Sequence, residues 1–307
     1  MITWIVNDLL TCIPGTRTFW HLLLDIDGTI DKSGTPYSKL KDAIESDKED
    51  CDLIIRNGTF FDWINRDCKT ISFIQDCYSN DMHQQACIRS SDLVVFNSNY
   101  TRNRYAVSSV VPLREHCVIP IGVDQDLFQP NGYHSIFDKR KKVGIFVGDY
   151  NTTKNTRMFE SICKRRIDLD FIYVSKAGNS LNCPNVKNVR GGVDERGMVE
   201  LYNNADFCIM CSEVETLHLT TIEAALCNIP VIGTKTGWFS SHYSPAVGEL
   251  VNSHNNIEDY DSAITTLLNK AHQDFYTPRD YIIDHTPYTW SNCKRAWEGV
   301  INELLRE

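Results

Sequence analysis

Short apolar runs alternate with polar or amphipathic stretches along most of the chain. Runs rich in β-branched and aromatic residues predict strands at 2–6 (ITWIV), 52–56, 71–74, 92–96, 117–120, 143–147 (VGIFV), 170–174, 206–210 and 229–232. The segments between them predict helices at 16–24, 81–90, 100–108, 153–166, 195–203, 219–227 and 258–272. A closing helix, roughly 289–306, repeats Trp290, Trp297, Val300, Ile301 and Leu304 at helical spacing. Strand–helix alternation predicts an α/β protein with parallel sheets covered by helices on both faces. Nine strands exceed one usual sheet of about five or six, so two doubly wound sheets fit better. Pro130-Asn131-Gly132 is a turn signal, and the charged run Asp138-Lys139-Arg140-Lys141-Lys142 reads as a solvated linker. The expected division is therefore a small first domain at 1–135, a second at 136–280, and the closing segment at 281–307.

Composition narrows the partners. The 307 residues carry 31 Lys+Arg against 40 Asp+Glu, a net charge of −9. That sign disfavours a general binder of nucleic acid or anionic membrane. Apolar stretches such as FCIMC at 207–211 fall far short of the ~18–20 residues of a membrane span. Met1–Val6 runs straight into Asn7 and Asp8, so it reads as a strand and not as a signal peptide. A cytoplasmic location is the expectation, with the sequons at Asn57, Asn99 and Asn151 unused. The 12 cysteines are scattered. Cys208 and Cys211 form a CxxC pair inside a predicted strand, without a second pair to complete a zinc site, so buried reduced thiols are expected and no metal.

In open α/β sheets ligands bind beyond the carboxyl ends of the strands, which directs attention to two loops. After 143–147 comes Gly148-Asp149-Tyr150-Asn151-Thr152-Thr153-Lys154-Asn155. Gly148 lets backbone approach a ligand closely. Thr153 could cap a helix starting at 154, which would put Lys154 in its first turn. A helix dipole disfavours a cation there, so Lys154 points to an anionic ligand; the plain alternative is a lysine facing solvent. After 206–210 the segment from Ser212 holds Glu215 and Glu223, with seven residues between them. Backbone N–H groups around 217–220 would face an anion at a helix N-terminus. Thr220-x-x-Glu223 also reads as a capping box, a purely structural role for Glu223.

This segment resembles the "Glu, seven residues, Glu" element of family 4 retaining glycosyltransferases, which have the two-domain GT-B fold. Further motifs carry the resemblance. SDLVVFNSNYTRNRY at 91–105, VIPIGVDQDLF at 118–128, VGDYNTTKN at 147–155, ELYNNADFCIMCSEVET with the following IEAALCNIPVIGT, and PYTW at 287–290 all stand at the family's spacing. The resemblance implies two Rossmann-like domains facing a central cleft, the first on the acceptor side, the second binding the nucleotide sugar, and a last helix crossing back to the first. It implies a hexosyltransferase-type enzyme that uses a UDP-, GDP- or ADP-linked sugar and an unidentified acceptor, needing neither cofactor nor metal. Glu223 would bind the ribose, Glu215 would sit beside the transferred sugar, and Lys154 would neutralise the diphosphate. Gly148, Thr216, Leu217, His218 and Leu219 would complete the donor site, with Arg190 near the base. Gly15, Thr16 and Arg17, after the first strand, would approach the reaction centre from the acceptor side.

Several positions depart from the family pattern. Asp149 stands where a phosphate-binding Arg is usual, and would repel a diphosphate unless it turns away or pairs with a cation such as Arg17. Thr216-Leu217-His218 replaces a Gly-aromatic-Gly run. Asn228 replaces a Gly after the helix, a change the left-handed conformation of Asn tolerates. Gln75-Asp76 occupies the place of a His near the sugar. Other readings compete with the main one. Asp25-Ile26-Asp27-Gly28-Thr29 resembles the nucleophile motif of haloacid dehalogenase-type phosphatases, with Asp25 attacking phosphate and Asp27 as acid/base. Asp25-x-Asp27 and Asp168-x-Asp170 also resemble the metal pair of the other glycosyltransferase fold. His83 and His218 are candidates by position. A nucleotide-sugar binder without catalysis is the third possibility.

Overall fold

The computed structural model describes residues 2–6, 29–30, 52–57, 69–75, 85, 88–108, 115–131, 141–151, 153–271 and 275–306. The chain forms two compact units, Met1–Gly122 with Trp290–Glu307, and Val123–Thr289. Each holds a six-stranded sheet in which every pairing is parallel, as the strand–helix alternation predicts.

The first unit contains β1 (Ile2–Val6), β2 (Thr29–Ile30), β3 (Leu53–Asn57), β4 (Lys69–Ile74), β5 (Leu93–Phe96) and β6 (His116–Val118), in the order β2-β1-β3-β4-β5-β6. Leu53, Ile55, Ile71, Phe73, Val94 and Phe96 are fully buried or nearly so. On β4 the intervening Thr70 and Ser72 are buried as well, because a parallel sheet is covered on both faces. Helix α1 (Asn99–Ser108) follows β5. The last helix, α8 (Trp290–Leu304), buries Cys293, Trp297 and Ile301. Trp297 meets Phe73 edge-on at 5.2 Å between ring centroids.

The second unit contains β7 (Val143–Val147), β8 (Asp170–Ser175), β9 (Val186–Arg190), β10 (Phe207–Ile209), β11 (Val231–Thr234) and β12 (Gly248–Val251), ordered β12-β11-β10-β7-β8-β9. Its helices are α2 (Thr156–Arg165), α3 (Glu195–Asn203), α4 (Leu219–Leu226), α5 (Phe239–His242), α6 (Ile257–Ala271) and α7 (Pro278–His285). Central β7 carries Gly144, where a Cβ would come within 2.8 Å of the Phe207 ring and 2.9 Å of the Phe171 ring. The missing side chain is what lets two aromatic rings close over the strand. From α2, Phe159 stacks on Phe146 at 4.5 Å. From α6, Tyr260, Ile264 and Leu267 complete the same core.

The division at 135 expected from the turn signal falls instead after Gly122. Val123 donates its N–H to the Tyr288 carbonyl at 2.9 Å. The Arg279 guanidinium holds the carbonyls of Gln125 at 3.0 Å, Phe128 at 2.8 Å and Leu226 at 2.7 Å. These bonds tie the 123–129 segment to α4 and α7. For the same reason 281–289 stays with the second unit, and the return to the first begins at Trp290.

Candidate functional site

In the second sheet β8 and β9 run out from β7 on one side, and β10, β11 and β12 on the other. The order reverses between β7 and β10, so the loops after these two strands flank a topological switch point. Lys154 lies in the first loop and Glu215 in the second. Their side chains meet there, Nζ to Oε1 at 2.7 Å.

The first loop is a tight construction. Asn151 Oδ1 accepts the Lys154 N–H at 2.7 Å. Asn155 adopts the left-handed conformation (φ 52°, ψ 46°), and its side-chain amide donates to the His254 carbonyl at 2.8 Å. This residue delays α2 until Thr156. Lys154 therefore precedes the helix and is not in its first turn, and Thr153 is not the cap; the dipole argument for Lys154 does not apply. What directs the lysine is Gly148, where a Cβ would stand 3.2 Å from Lys154 Cγ. The bare backbone lets the lysine stem pass over it toward Glu215.

Glu215 is held from all sides. Its Oε1 also accepts from Ser212 Oγ at 2.6 Å. Its backbone N–H donates to Thr236 Oγ1 at 2.9 Å, and its carbonyl accepts from Gly237 N at 3.1 Å. Gly237 is left-handed (φ 52°), and a Cβ there would strike the Leu217 carbonyl at 2.7 Å. Burial works against the carboxylate's charge, but His218 when protonated, Lys154 and Ser212 offset it and hold its pKa below the ordinary value. Burial pushes the His218 imidazole down to about 4, so it is neutral at physiological pH. Lys154 and Ser212 are then the groups that keep Glu215 ionised.

His218 sits at the N-cap of α4 in the left-handed region (φ 68°, ψ 67°), a conformation costing a residue with a side chain about 1–3 kcal/mol. Its Nε2 lies 3.7 Å from Glu215 Oε1, and its Nδ1 lies 3.0 Å from Thr221 Oγ1. Trp238 Nε1 donates to the same hydroxyl at 2.7 Å. Leu217 is buried, Thr216 and Leu219 half-buried. As Leu219 opens α4, its N–H is one of those that have no acceptor within the helix.

Glu223 is 5% exposed and accepts from the Tyr202 hydroxyl at 2.8 Å. The capping-box reading fails: the N-cap is His218, so Thr220 already lies inside α4. Asn228 takes the left-handed conformation expected of it (φ 62°). Asp149 turns toward β8, where its Oδ1 accepts from Ser175 Oγ and Ala177 N, each at 2.8 Å. Arg190 ends β9 and is exposed. Ser212, Thr236, Tyr202 and Trp238 escaped the sequence reading. The signal for Thr236 was the Thr-Lys-Thr-Gly run directly after a buried strand; Tyr202 carried none, since a helix-face Tyr usually packs in a core.

Gly15, Thr16, Arg17, Asp25, Asp27, Asp76 and His83 lie outside the described residues. Asp168 pairs with Arg166 at 2.9 Å in the turn before β8, at the end of that strand away from the loops of the switch point. Cys208 and Cys211 are buried free thiols whose pKa burial pushes far up. Among the described residues no three His, Cys, Asp or Glu side chains form a metal cluster, and no helix is long and apolar enough to cross a membrane.

Comparison with solved structures defines the fold. Sucrose-phosphate synthase from Thermosynechococcus elongatus superposes with a TM-score of 0.81 at 15% identity, covering 100% of this chain and 99% of that one. A glycosyltransferase from Rickettsia africae gives 0.74 at 15%, with coverages of 100% and 99%. HepE from Anabaena in complex with UDP gives 0.74 at 13%, with coverages of 98% and 99%. The fold is GT-B. Residues 141–270, which lie within the second unit, match the family model described as Glycosyl transferases group 1. No curated protein matches.

Proposed function

We propose that the enzyme transfers a hexosyl group from a nucleotide-diphosphate sugar to an acceptor with retention of configuration, using no metal. The observation that carries this reading is the Lys154–Glu215 pair at the switch point, 2.7 Å apart. Breaking a sugar–diphosphate bond builds negative charge on the phosphate oxygens. An ammonium placed there lowers the barrier, typically by about 3 kcal/mol for one donor. Lys154 supplies that charge from the chain itself, exchanging Glu215 for the diphosphate. Glu215, so released, faces the hydroxyls of the transferred sugar. Glu223, pinned by Tyr202, accepts from the ribose, and Arg190 lies toward the base. Asp149 is no obstacle, because Ser175 and Ala177 turn its carboxylate toward β8. The UDP and UDP-glucose complexes of HepE make UDP the first nucleotide to try.

Calorimetric titration with UDP, GDP and ADP, with and without EDTA, tests the reading. One nucleotide should bind equally in both conditions, and Glu223→Gln should weaken it about tenfold, the loss of an acceptor in a charge-assisted bond. Binding that needs a divalent ion would remove metal independence. A Glu223→Gln protein with unchanged affinity and a lower Tm would leave Glu223 a structural partner of Tyr202. NMR of the released sugar reports the anomer, and inversion would overturn retention.

A further inference from the structure

The hydrogen bonds around His218 define its tautomer. Thr221 Oγ1 has one proton and lies 2.9 Å from the His218 carbonyl, which can only accept, so the proton goes there. Trp238 Nε1–H fills one lone pair of the same oxygen at 2.7 Å. His218 Nδ1, at 3.0 Å, must then donate into the other, with Thr220 Oγ1 at 3.3 Å as a second acceptor. The proton of the neutral ring is thus on Nδ1, and Nε2 carries a lone pair. That lone pair lies 3.7 Å from Glu215 Oε1, too far for a hydrogen bond. Among the described residues no donor lies within hydrogen-bond reach of Nε2. Two acceptors therefore confront each other at the switch point with no proton between them. The ring is held there in a left-handed backbone conformation that glycine would adopt without strain. A side chain retained against strain, with its outer nitrogen unmatched, points to a ligand that supplies donors.

We propose that His218 is a specificity-determining residue: its Nε2 and the Glu215 carboxylate form a pair of acceptors that selects a transferred sugar bearing adjacent free hydroxyls. The assignment rests on the donor-site reading given above. Trp238 and Thr221 are positioning residues that fix the tautomer. A sugar with an ether, a deoxy carbon or a further acceptor at either position leaves one acceptor unmatched and binds worse.

Three measurements test the assignment. Long-range 15N–1H spectra of histidine-labelled protein should show His218 protonated at Nδ1; a ring protonated at Nε2 overturns the proposal. The second is the affinity ratio between a nucleotide diphosphate and its glucose conjugate, using whichever of UDP, GDP and ADP binds. His218→Gly preserves the left-handed backbone, and should lower the preference for the conjugate over the nucleotide alone about tenfold. An unchanged ratio overturns the proposal and leaves the donor site standing. In the third, Thr221→Val, which frees the tautomer but keeps the imidazole, should erode discrimination between the glucose conjugate and its deoxy analogues; retained discrimination overturns the lock. If none of the three nucleotides binds the wild-type protein, the donor-site reading fails, and this assignment with it.

Discussion

Lys154 and His218 flank one carboxylate and act on it differently. Lys154 is 29% exposed at its side chain against 10% for Glu215, so the lysine can reach solvent and ligand while the acid stays fixed by Ser212 and the backbone. Lys154→Ala should reduce donor turnover by roughly 10²–10³, the loss of one charge-stabilising donor. Steady-state donor hydrolysis measures it, and unchanged kcat and KM would remove Lys154 from the reaction. His218 makes a prediction about stability. Its pKa falls on folding from 6.5 to about 4, so between these values the unfolded chain binds the proton that the folded one refuses. Its contribution is therefore complete above pH 6.5 and is lost as the pH falls toward 4, by up to about 3 kcal/mol. Glu215, with a folded pKa below the ordinary 4.5, adds acid lability below that value. Urea denaturation from pH 7 to pH 5 should show falling stability in the wild type and a flatter profile in His218→Gly. Parallel profiles would mean that other groups dominate.

At the scale of elements the loops after β7, β8, β10 and β11 brace one another through side chains. Asp149 is the clearest brace. Asp149→Ala leaves the Ala177 N–H without its acceptor and Ser175 Oγ with Asn179 Oδ1 at 3.2 Å, and should destabilise the protein by about 1–2 kcal/mol, read from a urea midpoint. Nucleotide affinity should not rise; a rise would show that Asp149 repels the diphosphate after all. These loops also show what the sequence could convey. Strands that are continuous apolar runs, such as VGIFV at 143–147, were legible to the residue because both faces are buried. Strand β9 (VKNVR) was not, since an edge strand with exposed Lys187 and Arg190 has no apolar signature. Helix α4 was legible from its first residue, Leu219, but Thr220-x-x-Glu223 also read as a capping box, because nothing in a composition pattern announces a histidine N-cap in the left-handed region. Lys154 and Glu215 were both singled out from the sequence. Their pairing was not, as it depends on which two loops the order β10-β7 places side by side, and on a Gly148 that clears the lysine's path.

At the scale of the whole molecule the two ends of the chain share one unit. Helix α8 is the last segment in sequence, yet Trp297 is fully buried against Phe73 of β4, and the Cys293 thiol donates to the Pro120 carbonyl at 3.0 Å. The first unit therefore cannot complete its core until the second has been made and the chain has returned at Trp290. Trp297→Ala should cost about 3–5 kcal/mol, the usual range for truncating a large buried aromatic. The loss should fall unevenly, because the core of the second unit, built around Phe146, Phe159 and Phe171, contains no residue of α8. Hydrogen exchange read by mass spectrometry resolves the two units in a single experiment. Peptides from β4 and β5 should lose protection in Trp297→Ala, while those from β7, β8 and α2 keep theirs. Equal loss in both units would mean that they unfold as one cooperative block, and no loss in either would mean that α8 is dispensable to the first unit's core.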